Sequence, residues 1–188
     1  MLVVIDGLDG SGKSTQARLI CGRLAQSGKS FVLRAHPSRD NFFGRMGRGY
    51  LLLEGKGARA AASLFYLADV VRSILLYAWR RVDYVVFVRY LMGTAYLPAP
   101  LHKIAYLFFL RVVPTSSHMY FLDVSPEEAY RRLEGRADRE MFESLERLEE
   151  VRGKALGLAL TGGWTIIDGN KSTRVIHEQV SLLLGLLS

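Results

Sequence analysis

The residues Gly7, Leu8, Asp9, Gly10, Ser11, Gly12, Lys13 and Ser14 satisfy the spacing G-x-x-x-x-G-K-[ST]. Glycines at these intervals let a loop turn so that successive backbone N–H groups point inward. A helix beginning just after the loop adds its positive end, so phosphate oxygens meet fixed donors. In such a loop Lys13 reaches the transferred phosphate, Ser14 offers a hydroxyl to Mg²⁺, and Thr15 hydrogen-bonds a phosphate nearby. The chemistry indicated is binding of a nucleoside triphosphate, with Gly7, Gly10, Ser11, Gly12, Lys13, Ser14 and Thr15 as candidate contacts.

The motif needs a strand before it and a helix after it, and the flanking residues supply both. Leu2 to Ile5 is a short branched apolar run, the pattern of a strand buried on both faces. After Lys13, the residues Ala17, Ile20, Cys21, Leu24 and Ala25 form one apolar stripe at helical spacing, and Gly28 ends it. Cys21 lies on that stripe and reads as a small core residue. Further strands are expected at Phe31–Ala35, Tyr84–Val88, Met119–Val124 and Thr165–Ile167, with helices between them. Alternating β and α units predict a parallel sheet with right-handed crossovers. Ser125, Pro126 and Glu128 spell a helix start. The segment Ala60 to Trp79 has almost no polar face, so it must be covered on several sides, and a homodimer packing these helices together is expected.

The chain has 188 residues, 49% of them hydrophobic and 23% charged. Those values exclude a disordered or low-complexity chain and fit one domain over 1–188. Its mean hydropathy is +0.13, but Arg72, Arg80, Arg81, Arg89, Lys103 and Arg111 cut the apolar stretches, so no membrane span is expected. The lone Cys21 and a start that runs at once into Asp6 and Gly7 point to the cytoplasm. Net charge is +7. Without zinc-finger spacing or an RNA-binding aromatic motif, that excess points to a phosphorylated small molecule rather than nucleic acid. The guanine motif of GTPases is absent, since Asn170 and Lys171 are followed by Ser172 and Thr173.

The order of the remaining pieces resembles the thymidylate kinase family over nearly the whole chain. The opening Ile5 to Thr15, IDGLDGSGKST, is similar to that family's first strand and phosphate loop. Arg34 with Pro37 and Ser38, Gly44 with Arg48, Leu64 to Asp69, Arg89-Tyr90, Leu122 to Val124 and Arg132 to Arg152 follow in the family's order. The resemblance implies a three-layer α/β P-loop fold with a five-stranded parallel sheet and a short arginine-rich lid at about 132–143. It implies ATP and Mg²⁺ as cofactors and transfer of the γ-phosphate to dTMP, for dTTP synthesis. Lys13, Arg89, Arg136 and Arg139 are then the catalytic candidates, with Arg132 beside the ATP phosphates. Arg48 and Arg89 would grip the acceptor phosphate, where a planar, permanently charged fork suits the task. Asp9 would approach the acceptor sugar, Tyr96 would disfavour a 2′-hydroxyl, and Tyr66 reads either as the aromatic against thymine or as a core residue.

Three positions depart from the family pattern. Val88 stands where a carboxylate ends the third strand, which leaves metal binding to Ser14, Asp9 and the nucleotide, and Val88→Asp is expected to raise activity. Val70 replaces the arginine that contacts the base, and Ala155 replaces a tyrosine. These changes keep two other readings open: a kinase of another nucleotide or nucleoside, and a low-activity P-loop paralogue that binds nucleotide.

Overall fold

The three central strands sit where branched apolar residues are buried on both faces, and the two edge strands are partly exposed. In the computed structural model, which describes residues 1–53, 55–134 and 144–186, β1 (Leu2–Gly7), β2 (Phe31–Ala35), β3 (Tyr84–Val88), β4 (Met119–Asp123) and β5 (Thr165–Asp168) form one sheet in the order β2-β3-β1-β4-β5. Every pairing is parallel, with Ile5 opposite both Val88 and Tyr120. The sheet is therefore the five-stranded parallel one read from the sequence. Alternation along β1 sends Val3 and Ile5 into one apolar layer and Val4 into the other.

The first layer lies under α1 (Lys13–Gln26) and α7 (Thr173–Leu183) and contains Ile20, Leu24, Ile176 and Val180. Cys21 is buried in it, and burial pushes its thiol up to about 11, so it is an inert core residue. The second layer lies under α3 (Lys56–Tyr77), α4 (Leu101–Val112) and α6 (Leu145–Ala159). α5 (Pro126–Leu133) starts with Pro126 and with Ser125 accepting from the Glu128 amide at 3.3 Å, but the Glu128 carboxylate turns to Arg131 and Arg132 while the Ser125 amide donates to Asn170 at 3.0 Å.

α2 (Phe42–Leu51) packs along α3 and covers part of its apolar surface. Within α3 the segment Ala60–Tyr77 is long and apolar enough to cross a membrane, with a hydropathy of 1.4. Asp69 nevertheless interrupts it, fully buried and accepting from the Ser38 amide and hydroxyl, each at 2.6 Å, and from Asn41 at 2.7 Å. The helix thus anchors the β2–α2 loop through a carboxylate that lipid could not satisfy.

Val88 ends β3 at 1% exposure among Ile5, Ile20 and Leu122. That position adds a cost to the Val88→Asp change expected to restore activity. A carboxylate there loses apolar packing and water together, at about 2 kcal/mol or more. At ~2–4 °C per kcal/mol for a chain of this size, the variant should melt ~4–8 °C or more below the parent. An unchanged melting temperature in a calorimetric scan would mean that the introduced carboxylate finds a partner.

Candidate active site

Two cavities flank the loop between β1 and α1. The larger, about 760 Å³, is bounded by Gly7 and Asp9 on the loop, Ser63, Tyr66 and Val70 on α3, Arg89 after β3, and Leu101, Ala105 and Phe109 on α4. Its size falls in the range of small-molecule sites. The smaller, about 230 Å³, is bounded by Gly10, Ser11, Gly12, Thr15, Gln16, Arg132, Lys171 and Thr173. The phosphate loop is the wall between them.

The loop's shape depends on its glycines. Gly10 has φ +79°, and a β-carbon there would lie 2.5 Å from the Ala129 carbonyl oxygen of α5. Gly12 has φ +89° and caps α1 without any side-chain hydrogen bond. The first amides of α1 are therefore uncapped by a side chain, and the buried Ser11 Oγ has no hydrogen-bond partner among the described residues. Uncapped amides and an orphaned hydroxyl beside a polar cavity fit an anionic chain.

Arg132 ties the small cavity together. Its guanidinium donates to the Gly10 carbonyl at 3.3 Å, the Gly169 carbonyl at 3.0 Å and the Glu128 carboxylate at 2.8 Å. Hydrogen bonds from Arg131 and Arg132 pull the Glu128 carboxyl down to about 2. Ser14 is exposed at the start of α1.

On the other side of the wall four predicted residues converge. Asp9, 3% exposed, pairs with Arg89, accepts from the Tyr96 hydroxyl at 2.8 Å, and lies 3.4 Å from Lys13 Nζ. Lys13 Nζ also donates to the Leu8 carbonyl at 2.6 Å. Arg89 has φ +56°, a left-handed conformation that costs a residue with a β-carbon about 1–2 kcal/mol. Strain held at a charged residue in a cavity wall is a functional signal.

Arg48 lies on α2, half-buried, and does not line the large cavity. Tyr66 does line it, but its hydroxyl donates to the Arg89 carbonyl at 2.8 Å. Val70 is part of the same wall, and Ala155 is buried in the core beside α6 neighbours. Arg136 and Arg139 lie outside the described residues. Beyond the sequence reading, the structure adds Asp6, His36, and a rim of Arg147, Glu150 and Lys154, where Lys154 bonds Glu150 at 2.7 Å and the Leu97 carbonyl at 3.1 Å. Asp6 had looked like a strand-ending residue. It is 1% exposed, and burial raises its carboxyl above the usual carboxylate range.

A parallel sheet in this order, with a glycine-lysine loop between its first strand and first helix, defines a P-loop nucleotide-binding protein. The comparisons sharpen that class. A thymidylate kinase family model matches residues 5–180, and the chain belongs to the thymidylate kinase family. It is 32% identical over 199 residues to a probable thymidylate kinase of Thermococcus onnurineus, covering 98% of this chain and 97% of that one. With a probable thymidylate kinase of Pyrococcus abyssi it shares 30% identity over 194 residues, 97% of this chain and 94% of that one. Among solved structures, the thymidylate kinase of Candida albicans superposes with a TM-score of 0.75 at 20% identity, over 99% of this chain and 90% of that one, a likeness of fold.

Proposed function

We propose that the chain transfers the γ-phosphoryl group of ATP to the phosphate of dTMP, yielding ADP and dTDP for dTTP synthesis. One observation carries the reading: the phosphate loop separates a polar cavity from an acceptor-sized one, and Lys13, Asp9, Arg89 and Tyr96 meet at that wall. An acceptor phosphate oxygen bonds to the γ-phosphorus while the bond to the β–γ bridging oxygen breaks and ADP departs. The acceptor oxygen is already anionic, so the residues supply position and charge rather than a general base.

In this reading the loop amides, Lys13, Thr15 and Arg132 hold the ATP phosphates. Ser14 and Asp9 would hold Mg²⁺, which would supply positive charge against the developing phosphate charge. Arg89 grips the acceptor phosphate, Arg48 on α2 is assigned to the same phosphate, and Tyr96 and Asp9 border the sugar. Arg136 and Arg139 are assigned the stabilisation of charge on the transferring phosphate. Lid and body act as one domain, working in the cytoplasm on small molecules, with neither membrane nor nucleic acid as partner.

ADP release measured with ATP and Mg²⁺ across nucleoside monophosphates and nucleosides tests the reading. Preference for dTMP is expected. The wholly buried Val88, where the family places a carboxylate, favours the second reading of a nucleotide binder with feeble turnover. Folded protein that binds ATP and releases no ADP on adding any acceptor would establish that alternative.

The exposed face of α3 supports a homodimer. Leu64 is 65% exposed and Leu75 71%, with Leu76 beside them, a patch that self-association would cover. Light scattering at micromolar concentration is expected to give twice the chain mass, and Leu75→Glu to reduce it to one. A monomeric parent would contradict the dimer.

A further inference from the structure

We infer that Asp6 and the Tyr66 hydroxyl are positioning residues, which grip the peptide groups around Arg89 from opposite sides and fix its guanidinium against Asp9. The inference rests on the reading of Arg89 as the acceptor-phosphate residue and deepens it.

From β1, the Oδ2 atom of Asp6 accepts from the amides of Tyr90 at 2.8 Å and Met92 at 3.1 Å, the two amides that flank Leu91 just beyond Arg89. Its Oδ1 accepts from the Gly7 amide at 3.3 Å. From α3, the Tyr66 hydroxyl donates to the Arg89 carbonyl at 2.8 Å, and His36 Nδ1 stands 3.1 Å from the same oxygen. The Arg89 amide donates to the Ile5 carbonyl at 3.3 Å. A residue in a left-handed conformation thus has its own amide, its carbonyl and the amides after it all engaged, which is how a costly backbone geometry is held in place.

Tyr66 has little freedom to do otherwise. A β-carbon at Gly93 would overlap its ring, so the ring is seated directly on the Met92–Tyr96 turn. With the ring fixed there, the hydroxyl meets the Arg89 carbonyl without further adjustment. A phenylalanine would keep any contact between ring and base and lose this bond together with the longer one, at 3.4 Å, to the neighbouring Tyr90 carbonyl. Asp6 is matched to its place in the same way, because a carboxylate can accept all three amides, whereas an asparagine must turn an NH₂ group toward one of them.

Tyr66→Phe separates the hydroxyl from the ring. Loss of the shorter bond predicts about a fivefold rise in the dissociation constant for dTMP, with ATP affinity unchanged and the ratio of dTMP to dUMP affinity unchanged. In an Arg89→Ala background the same change should have no further effect on dTMP binding, since groups acting through one residue are not additive. Asp6→Asn should weaken dTMP tenfold or more and also fall silent in that background. Because Asp6→Asn sits in the core and also meets the Gly7 amide of the phosphate loop, a parental circular-dichroism spectrum and cooperative melt serve as its folding check. A fivefold effect that persists in Arg89→Ala, or a Tyr66→Phe protein with parental dTMP affinity, would overturn the inference. The reading beneath it fails differently, through a parent protein that binds ATP and does not bind dTMP. In that protein the Arg89 Nε–H resonance still reports on the grip, broadened by Tyr66→Phe if the inference holds and unaltered if it does not.

Discussion

Arg89→Ala is expected to lower kcat/KM for the acceptor by about 10²–10⁴-fold. A guanidinium gripping a phosphate makes two charge-assisted hydrogen bonds, each about 1.5–3 kcal/mol, and every 1.36 kcal/mol is a decade in rate. The structure adds a second cost. Arg89 is paired with Asp9, whose carboxylate is 4% exposed, and removing the partner leaves that charge with Lys13 at 3.4 Å and the Tyr96 hydroxyl. Steady-state kinetics with dTMP varied at saturating ATP checks this. A loss of less than tenfold would show that the acceptor phosphate is held elsewhere, with Arg48 the next residue to test. Arg89→Lys should recover little, because an ammonium cannot make the paired, planar contact.

Lys13→Met is expected to lower kcat by about 10²–10³-fold, the usual consequence of removing one preorganised donor to developing charge. The Lys13 side chain is 5% exposed and braced on the Leu8 carbonyl and Asp9. The amine is thus held at the wall between the cavities by the loop itself. Methionine keeps the length of the stem and removes the charge, so the loss should fall on kcat while dTMP affinity changes far less. Single-turnover kinetics with both nucleotides saturating separates the two. Parental kcat in this variant would remove Lys13 from the transfer step.

Much of this arrangement is legible in the chain because its chemistry is local. The phosphate loop is contiguous, and its glycines, lysine and hydroxyls carry their meaning in their spacing. The strands announced themselves as branched runs, since burial on both faces leaves no room for alternation, and the observed β2 and β3 match the expected ranges. Ser125 and Pro126 marked the start of α5 for equally local reasons.

What the sequence hid is long-range. Asp6 looked like a strand ending because its partners, Tyr90 and Met92, lie more than eighty positions away. Tyr66 fitted a base contact or a core aromatic, and nothing in its own helix shows that its hydroxyl meets a backbone carbonyl after β3. Asp69 enters the sequence reading only as the end of the Leu64–Asp69 piece, and its anchoring of the Ser38–Asn41 loop depends on residues about thirty positions away. The helix expected between β3 and β4 is α4, whose bounds Leu101 to Val112 no apolar stripe marks. A positive φ at Arg89 leaves no trace in composition. The one available signal is chemical: an acid directly before the phosphate loop, on the strand beside the one that Arg89 follows.

In the proposed transfer two anion sites face each other across one loop and a phosphoryl group passes between them. Incubating the protein with ATP labelled in the γ-phosphate, Mg²⁺ and dTMP, then locating the label, tests it most directly. Label is expected in the β-position of dTDP, in step with ADP formed. Label recovered as inorganic phosphate, or retained in ATP by protein that binds both nucleotides, would contradict it.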